Sequence, residues 1–282
     1  MHAHGELLNQ TKMTINIFRS LKQLLTLALL GGVATLANAE NLVSMKTVAM
    51  PAFAGTPSDV FVASNVPVIV QGNLLWRLDE SRKEWIELAW RPSGRIRGTV
   101  ENGPRPYLLL ESEEGNGISH VASYPLPNVP PEKVLPALPL RFSQAKGAVL
   151  GGVVYLAGIS MDGTSHWLSI DPKSPEPVWG KLLAWGANSP GITAVVAQDS
   201  ALYVTVRESV GEGDKVWRWA PGDRWSERGI LPGSVVEGSA RAIGQAHVMM
   251  LVRPGTSAAA NAGSQFITYH TITGSFSNQG AS

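Results

Sequence analysis

The sequence predicts an all-β chain, a β-propeller built from repeated four-stranded antiparallel sheets, and three observations carry that expectation. First, "LLWRLDESRKEWIEL" (Leu74 to Leu88), "HWLSIDPKSPEPVWGKL" (His166 to Leu182), "KVWRWAPGDRWSERG" (Lys215 to Gly229) and "QFITYHTITGSFSNQ" (Gln265 to Gln279) share one pattern. Each has an aromatic residue in a short extended run, a polar turn, and an aromatic residue opening the next run. A weaker copy, His120 to Leu138, has Tyr124 in the first aromatic place. Second, a different element repeats between these: "GTVENGPRPYLLL", "GAVLGGVVYLAG", "AVVAQDSALYVTV" and "ARAIGQAHVMMLV", with Tyr107, Tyr155 and Tyr203 spaced 48 residues apart. Third, the apolar runs are too short for helices and meet at Gly or Asp turns, so each unit reads as two hairpins.

Four strands in about 45 to 50 residues is the period of a kelch-type blade. The recognisable blades run over 58–90, 95–138, 143–185, 192–230 and 238–279. The recurring Trp76, Trp85, Trp179 and Trp225 are expected to pack between neighbouring blades, which leaves Trp90 and Trp185 as the aromatic candidates for a binding surface. Residues 41–56 are expected to add a strand that pairs with the last blade, because a propeller left open exposes sheet edges. The chain is therefore either a five-bladed ring or a six-bladed ring that stops early. The final "SFSNQGAS" offers no further closing strand and favours the second.

Residues 1–39 read as a signal peptide: Arg19 and Lys22 precede the apolar run Leu24 to Leu36, and Ala37-Asn38-Ala39 supplies a small-x-small cleavage pattern. Residues 40–282 form the propeller domain, exported to the periplasm or the extracellular space. No later segment has the length of apolar sequence that a transmembrane helix needs. The net charge of +1 and the lack of a basic tract argue against nucleic acid as a partner. With no cysteine the chain has no thiol nucleophile, zinc-thiolate site or disulfide, so its core must hold it together.

"LGGVVYLAGISMDGTSHWLSIDPKSPEPVW", "VWRWAPGDRWSERGILPGSVVEGSARAIGQAHVMML" and "YHTITGSF" resemble kelch domains of the N-acetylneuraminate epimerase and cyclically permuted mutarotase group, a galactose-oxidase-like propeller class that includes relatives fused to sodium/solute symporters. The similarity runs from about Lys46 to Phe276. It implies a sugar-isomerising site at the central funnel, without a cofactor, and a catalytic base on a Gly-Glu element followed by Arg-Thr. Here Gly211-Glu212 continues as Gly213-Asp214-Lys215, so the catalytic role is not carried to Glu212 and the catalytic residues stay unassigned. The resemblance supports two functions: a sugar mutarotase or epimerase acting on sialic acid or a related sugar, and a non-catalytic propeller that binds a sugar, a protein or a membrane transporter.

Reclosing a sugar ring needs a base and an acid, and an acidic sugar favours a bidentate arginine. In the repeat alignment, the loops entering first strands and those joining second to third strands share one face. That face receives Arg95, Arg97, Ser143 to Lys146, Ser160 to Thr164, Arg207, Glu208, Ser239 and Arg241. The candidate ligand-binding residues are Arg95, Arg97, Lys146, Arg207, Glu208 and Arg241, with solvated loop charge as the alternative for each. "SMDGTSHW" (Ser160 to Trp167) resembles an Asp-box and is expected to be a structural turn. The six histidines show no metal-ligand spacing, and His247, in an apolar strand, is expected to be a core or channel residue.

Overall fold

A sheet stacked between two others must present apolar side chains on both faces, because alternate residues of each strand point opposite ways. The second strands supply this: "YLLLE", "VVYLAGIS" and "ALYVTVR" are buried along nearly their whole length. The computed structural model describes residues 51–112, 114–124, 135–182, 191–208, 213–255 and 263–281. The chain divides into two units, Met1–Ser44 and Met45–Ser282, and every described residue belongs to the second. The expected signal peptide lies outside the described residues.

That second unit is all-β, a β-propeller of antiparallel sheets. The first strand group is β1 (Asp59–Ala63), β2 (Val66–Gln71), β3 (Leu74–Asp79) and β4 (Glu84–Glu87), paired in chain order. The second is β5 (Arg95–Val100), β6 (Tyr107–Glu111) and β7 (Ile118–Ser123); residues 125–134, where its fourth strand would fall, are outside the described residues. The third is β8 (Phe142–Leu150), β9 (Val153–Ser160), β10 (Ser165–Ile170) and β11 (Gly180–Leu182), joined to the second through the Ile118–Phe142 pair and a single parallel bridge between Glu101 and Ala148. The fourth is β12 (Gly191–Gln198), β13 (Ala201–Arg207), β14 (Lys215–Trp219) and β15 (Ser226–Ile230). In the fifth, β16 (Gly233–Val235) and β17 (Arg241–Ile243) both pair with β18 (His247–Pro254), followed by β19 (Gln265–His270) and β20 (Phe276–Ala281). Among the described residues, no helix is long and apolar enough to cross a membrane.

The hairpins between first and second strands follow from their turn residues. Ser64-Asn65, Gly151-Gly152 and Asp199-Ser200 all have positive φ at both central positions, the two-residue turn whose twist matches that of its strands. The repeating tyrosines occupy equivalent second-strand positions, and each faces the next group. Tyr107 joins the cluster between groups two and three, Tyr155 that between three and four, and Tyr203 that between four and five. A fourth cluster, containing Phe61, Val68, Leu108 and Tyr124, joins groups one and two. Between the fifth group and the first there is no such cluster among the described residues; Val60 and Val62, on the other face of β1, are 49% and 55% exposed.

The tryptophans divide by position. Trp179 is buried between groups two and three, its indole N–H donating to Pro136 O at 2.9 Å. Trp225 packs at 4.8 Å from Trp167 and 6.0 Å from Trp219, at the third junction. The expectation of packing between blades fails for Trp76 and Trp85. Both pack edge-on against Phe53, at 5.5 and 6.2 Å, and Trp85 donates to Pro51 O. Residues 51–56 thus lie against the first group and form no strand with the last; the preceding 41–50 fall outside the described residues. Trp90 is partly buried against the cluster that joins groups one and two, which corrects its reading as a binding residue, and Trp185 is outside the described residues. "FSNQGA" at the C-terminal end is the outer strand of the fifth group.

Leu156, wholly buried at the second junction, should lose about 2 to 5 kcal/mol of stability as Leu156→Ala, transfer and cavity costs together. Val62→Ala, on the uncovered face of β1, should change it by only about 0.5 kcal/mol or less. Urea unfolding of the two variants checks the pair, and equal losses would mean that the fifth seam is packed like the other four.

Candidate functional site

The inner strands carry a recurrent irregularity. Pairing slips by one residue between Ile96 and Gly98, between Phe142 and Gln144, and between Ile192 and Ala194, leaving Arg97, Ser143 and Thr193 as the extra residues of three successive bulges. A bulge re-aims the side chain it inserts. Arg97 and Thr193 line a cavity of about 390 Å³ that also receives Asp59, Lys146, Glu237 and Arg241, and so draws on the inner strands of all five groups. This is the central channel.

Six charged side chains line the channel, and their pairing sorts them. Arg241 Nε lies 2.6 Å from Glu101 Oε1, and its Nη1 donates to Gly238 O and Ala240 O at 2.8 Å each. Lys146 is paired with Glu237. Arg97 Nε stands 3.8 Å from Glu111 Oε2, a looser contact that leaves the guanidinium 40% exposed. Asp59 has no cation partner among the described residues; its Oδ1 accepts only the N–H of Val60, at 2.7 Å. Burial raises the Asp59 carboxyl above its ordinary value, and the Val60 hydrogen bond with the charges of Lys146 and Arg241 offsets this only in part.

Three of the six residues expected at the site, Arg97, Lys146 and Arg241, meet in this channel. The position of Arg241 differs from expectation because the inner strand of the fifth group begins at Gly233 rather than near 238. Residues 236–240 form an excursion between β16 and β17, where the Ser239 hydroxyl bonds to Val236 O and Leu251 N. Arg241 therefore sits beyond that excursion, against the residue that follows β5. Arg207 and Glu208 line a second cavity, of about 790 Å³, which shares Lys146, Thr193 and Glu237 with the channel. Glu208 is held by Lys215 at 2.8 Å. Arg95 is exposed and lines neither cavity.

Asp214, which sequence reasoning passed over, organises the junction of groups four and five. It is 0% exposed. Its Oδ2 lies 2.7 Å from the Thr193 hydroxyl and accepts the Val235 N–H at 2.9 Å, while Oδ1 accepts Arg207 Nε–H at 3.2 Å. Thr193 donates to this carboxyl group, and its hydroxyl also lies 2.8 Å from that of Thr205. Gly213 permits the close approach, since a Cβ there would stand 1.6 Å from Leu231 O. The only signal in the sequence was that Gly211-Glu212 is followed by Gly213-Asp214-Lys215 and not by Arg-Thr, which said nothing of the role of Asp214. Gly211-Glu212 lies outside the described residues.

The Asp-box-like segment is the structural turn expected. The Ser160 hydroxyl donates to Asp162, the Thr164 N–H donates to Asp162 Oδ1 at 3.0 Å, and these bonds lower the Asp162 carboxyl to about 2. His247 lies edge-on to His270 at 4.6 Å and does not line the channel. Among the described residues no three metal-ligating groups cluster.

No protein-family model matches the sequence, and no curated protein does. Solved structures are similar in fold. YjhT superimposes with a TM-score of 0.54 at 12% identity over 78% of this chain and 79% of that one. A putative TolB from Agrobacterium tumefaciens gives 0.55 at 12% identity over 78% and 79%. A variant of the Aleuria aurantia lectin in complex with alpha-methyl-L-fucoside gives 0.50 at 12% identity over 77% and 72%. At this identity the likeness bears on the propeller fold alone.

The Asp59 carboxyl has a folded-state pKa above its ordinary 3.8. The native chain therefore holds this proton over a pH range where the unfolded chain has released it, and stability falls as pH rises through that range. Asp59→Asn removes the penalty, so the variant should melt at a higher temperature than the parent at pH 7 and at the same temperature well below pH 4. Thermal unfolding across pH checks this; a variant less stable at pH 7 would mean that the ionised carboxylate is favourably held.

Proposed function

We propose that this chain is an exported propeller that binds a small carbohydrate in its central channel. The observation that carries the reading is the charge arrangement of that cavity. Glu101 neutralises Arg241 and Glu237 neutralises Lys146, while Arg97 and Asp59 are left with donor and acceptor capacity free for a ligand. A polyhydroxylated ring supplies both acceptors and donors, and a guanidinium with a carboxylate is a pair that can grip vicinal hydroxyls. The resemblance of residues after Phe142 to kelch sugar epimerases and mutarotases supports this, as does the fucoside-bound lectin among proteins of similar fold. The Arg19, Lys22 and Leu24 to Leu36 pattern ahead of Ala37-Asn38-Ala39 supports export.

Asp59 favours a second reading, catalysis of anomer interconversion. A desolvated carboxyl group without a cation partner can take the proton of an anomeric hydroxyl as the ring C–O bond breaks, then return it to the departing ring oxygen. No net proton, electron or cofactor is required. Rotation about the bond between the opened carbonyl carbon and the next carbon of the former ring, followed by the reverse steps, gives the other anomer.

Saturation-transfer NMR with N-acetylneuraminate and glucose should detect binding to the chain from residue 40 onward. Arg97→Ala should weaken that binding by about tenfold or more, the loss of a charge-assisted hydrogen bond. Absence of binding by both sugars would overturn the carbohydrate reading. In the same samples, freshly dissolved α-anomers should equilibrate faster than with heat-killed protein, and Asp59→Asn should reduce that acceleration by about 10² to 10⁴. Binding without acceleration would reject the second reading and keep the first.

A further inference from the structure

The larger cavity, between the fourth and fifth strand groups, contains a feature that the channel does not explain. Its wall carries three cations, Lys146, Arg207 and Arg253, and two carboxylates, Glu208 and Glu237. Both carboxylates are engaged, Glu208 by Lys215 at 2.8 Å and Glu237 by Lys146. Arg207 is held at Nε by Asp214, which leaves its two terminal nitrogens without a partner among the described residues. Arg253 has neither a hydrogen bond nor an ion pair there. Opposite Arg253 across the strand pair stands Ser234, and opposite Arg207 stands Gly191, both also on the cavity wall.

We propose that this cavity is a binding site for the carboxylate of a small organic acid, held between Arg207 and Arg253. Asp214 makes Arg207 suitable for the task. A guanidinium on a free side chain loses conformational entropy when it grips an anion. Here the Nε–H is already fixed to a carboxylate with no exposure to water, which is itself fixed by Thr193 and the Val235 N–H. The planar fork thus meets its ligand with its orientation set, and the two terminal nitrogens match the two oxygens of a carboxylate. The charge balance limits the ligand. Arg207 is countered by Asp214, Lys146 by Glu237, and Lys215 by Glu208 and, at 3.5 Å, by Glu227, so Arg253 is the one cation of this wall without an ion pair among the described residues. One unpaired cation in surroundings that are otherwise balanced favours a monocarboxylate over a phosphate dianion. Asp214 and Thr193 are positioning residues in this site, acting through Arg207.

The site can be tested without any sugar, so its failure is separable from that of the carbohydrate reading. The probe is sodium acetate at constant ionic strength with chloride as the balancing ion, and the readout is the arginine Nε–Hε resonances of the folded protein, assigned by substitution. Saturable shifts of the Arg207 and Arg253 signals are expected, with a midpoint raised about tenfold or more by Arg253→Gln and unchanged by Arg97→Gln, which alters only the channel. Absence of saturation in the parent protein, or an unchanged midpoint in Arg253→Gln, would overturn the site. Loss of binding in Arg97→Gln would move the anion to the channel and overturn it equally. Inorganic phosphate at pH 7 that binds more tightly than acetate would overturn the carboxylate assignment.

Discussion

Everything in this fold follows from the need to bury both faces of each small sheet. A four-stranded sheet on its own cannot remove enough apolar surface from water to offset the entropy of ordering it. Stacked face to face, neighbouring sheets share one buried layer, and each interior sheet contributes to two. The repeated tyrosine makes this concrete: Tyr107, Tyr155 and Tyr203 sit at the same place in successive second strands and fill the layer shared with the following group. Because that packing fixes the outer and middle strands, the inner strands are free to be irregular, and their irregularities are where the chemistry lies.

The bulges at Arg97 and Thr193 show how the scaffold yields a site. One extra residue in an inner strand turns a side chain that would otherwise join the alternation of the sheet toward the channel. Arg97 uses this to present a cation to the channel, whereas Thr193 uses it to reach Asp214 and lines both cavities. The two cavities are separated by the Lys146–Glu237 pair, which belongs to the wall of both.

The architecture was legible in the sequence because it repeats. A turn such as Asp199-Ser200 or an aromatic such as Trp225 reports its local geometry whatever it packs against, and comparison between copies separates pattern from accident. The limits of legibility were equally physical. Trp76 and Trp85 match the repeat but pack against Phe53, since among the described residues the first group shares no apolar cluster with a neighbour on that side and Phe53 lies against them. Arg241 was misplaced because the excursion at 236–240 breaks the strand count that located the other inner strands. Asp59 and Asp214 were missed because a carboxylate's role depends on its partners. The sequence places Asp59 at a strand start and Asp214 beside a lysine, yet only the packed structure leaves the first without a cation and surrounds the second with donors.

Among the described residues, four apolar layers join the five groups in series, and such a series has the statistics of a linear array. In a closed ring every member has two neighbours and the loss of any one opens two junctions, so order is uniform around the circle. In a series the end members are each held by a single junction, and opening proceeds inward from the termini. Amide protons of β2 and β18 would then exchange on a faster clock than those of β9 and β13, which are also the more continuously buried strands. The channel, which draws its Asp59 from one end of the series and its Arg241 from the other, is consequently the part of the molecule whose integrity reports on both ends at once.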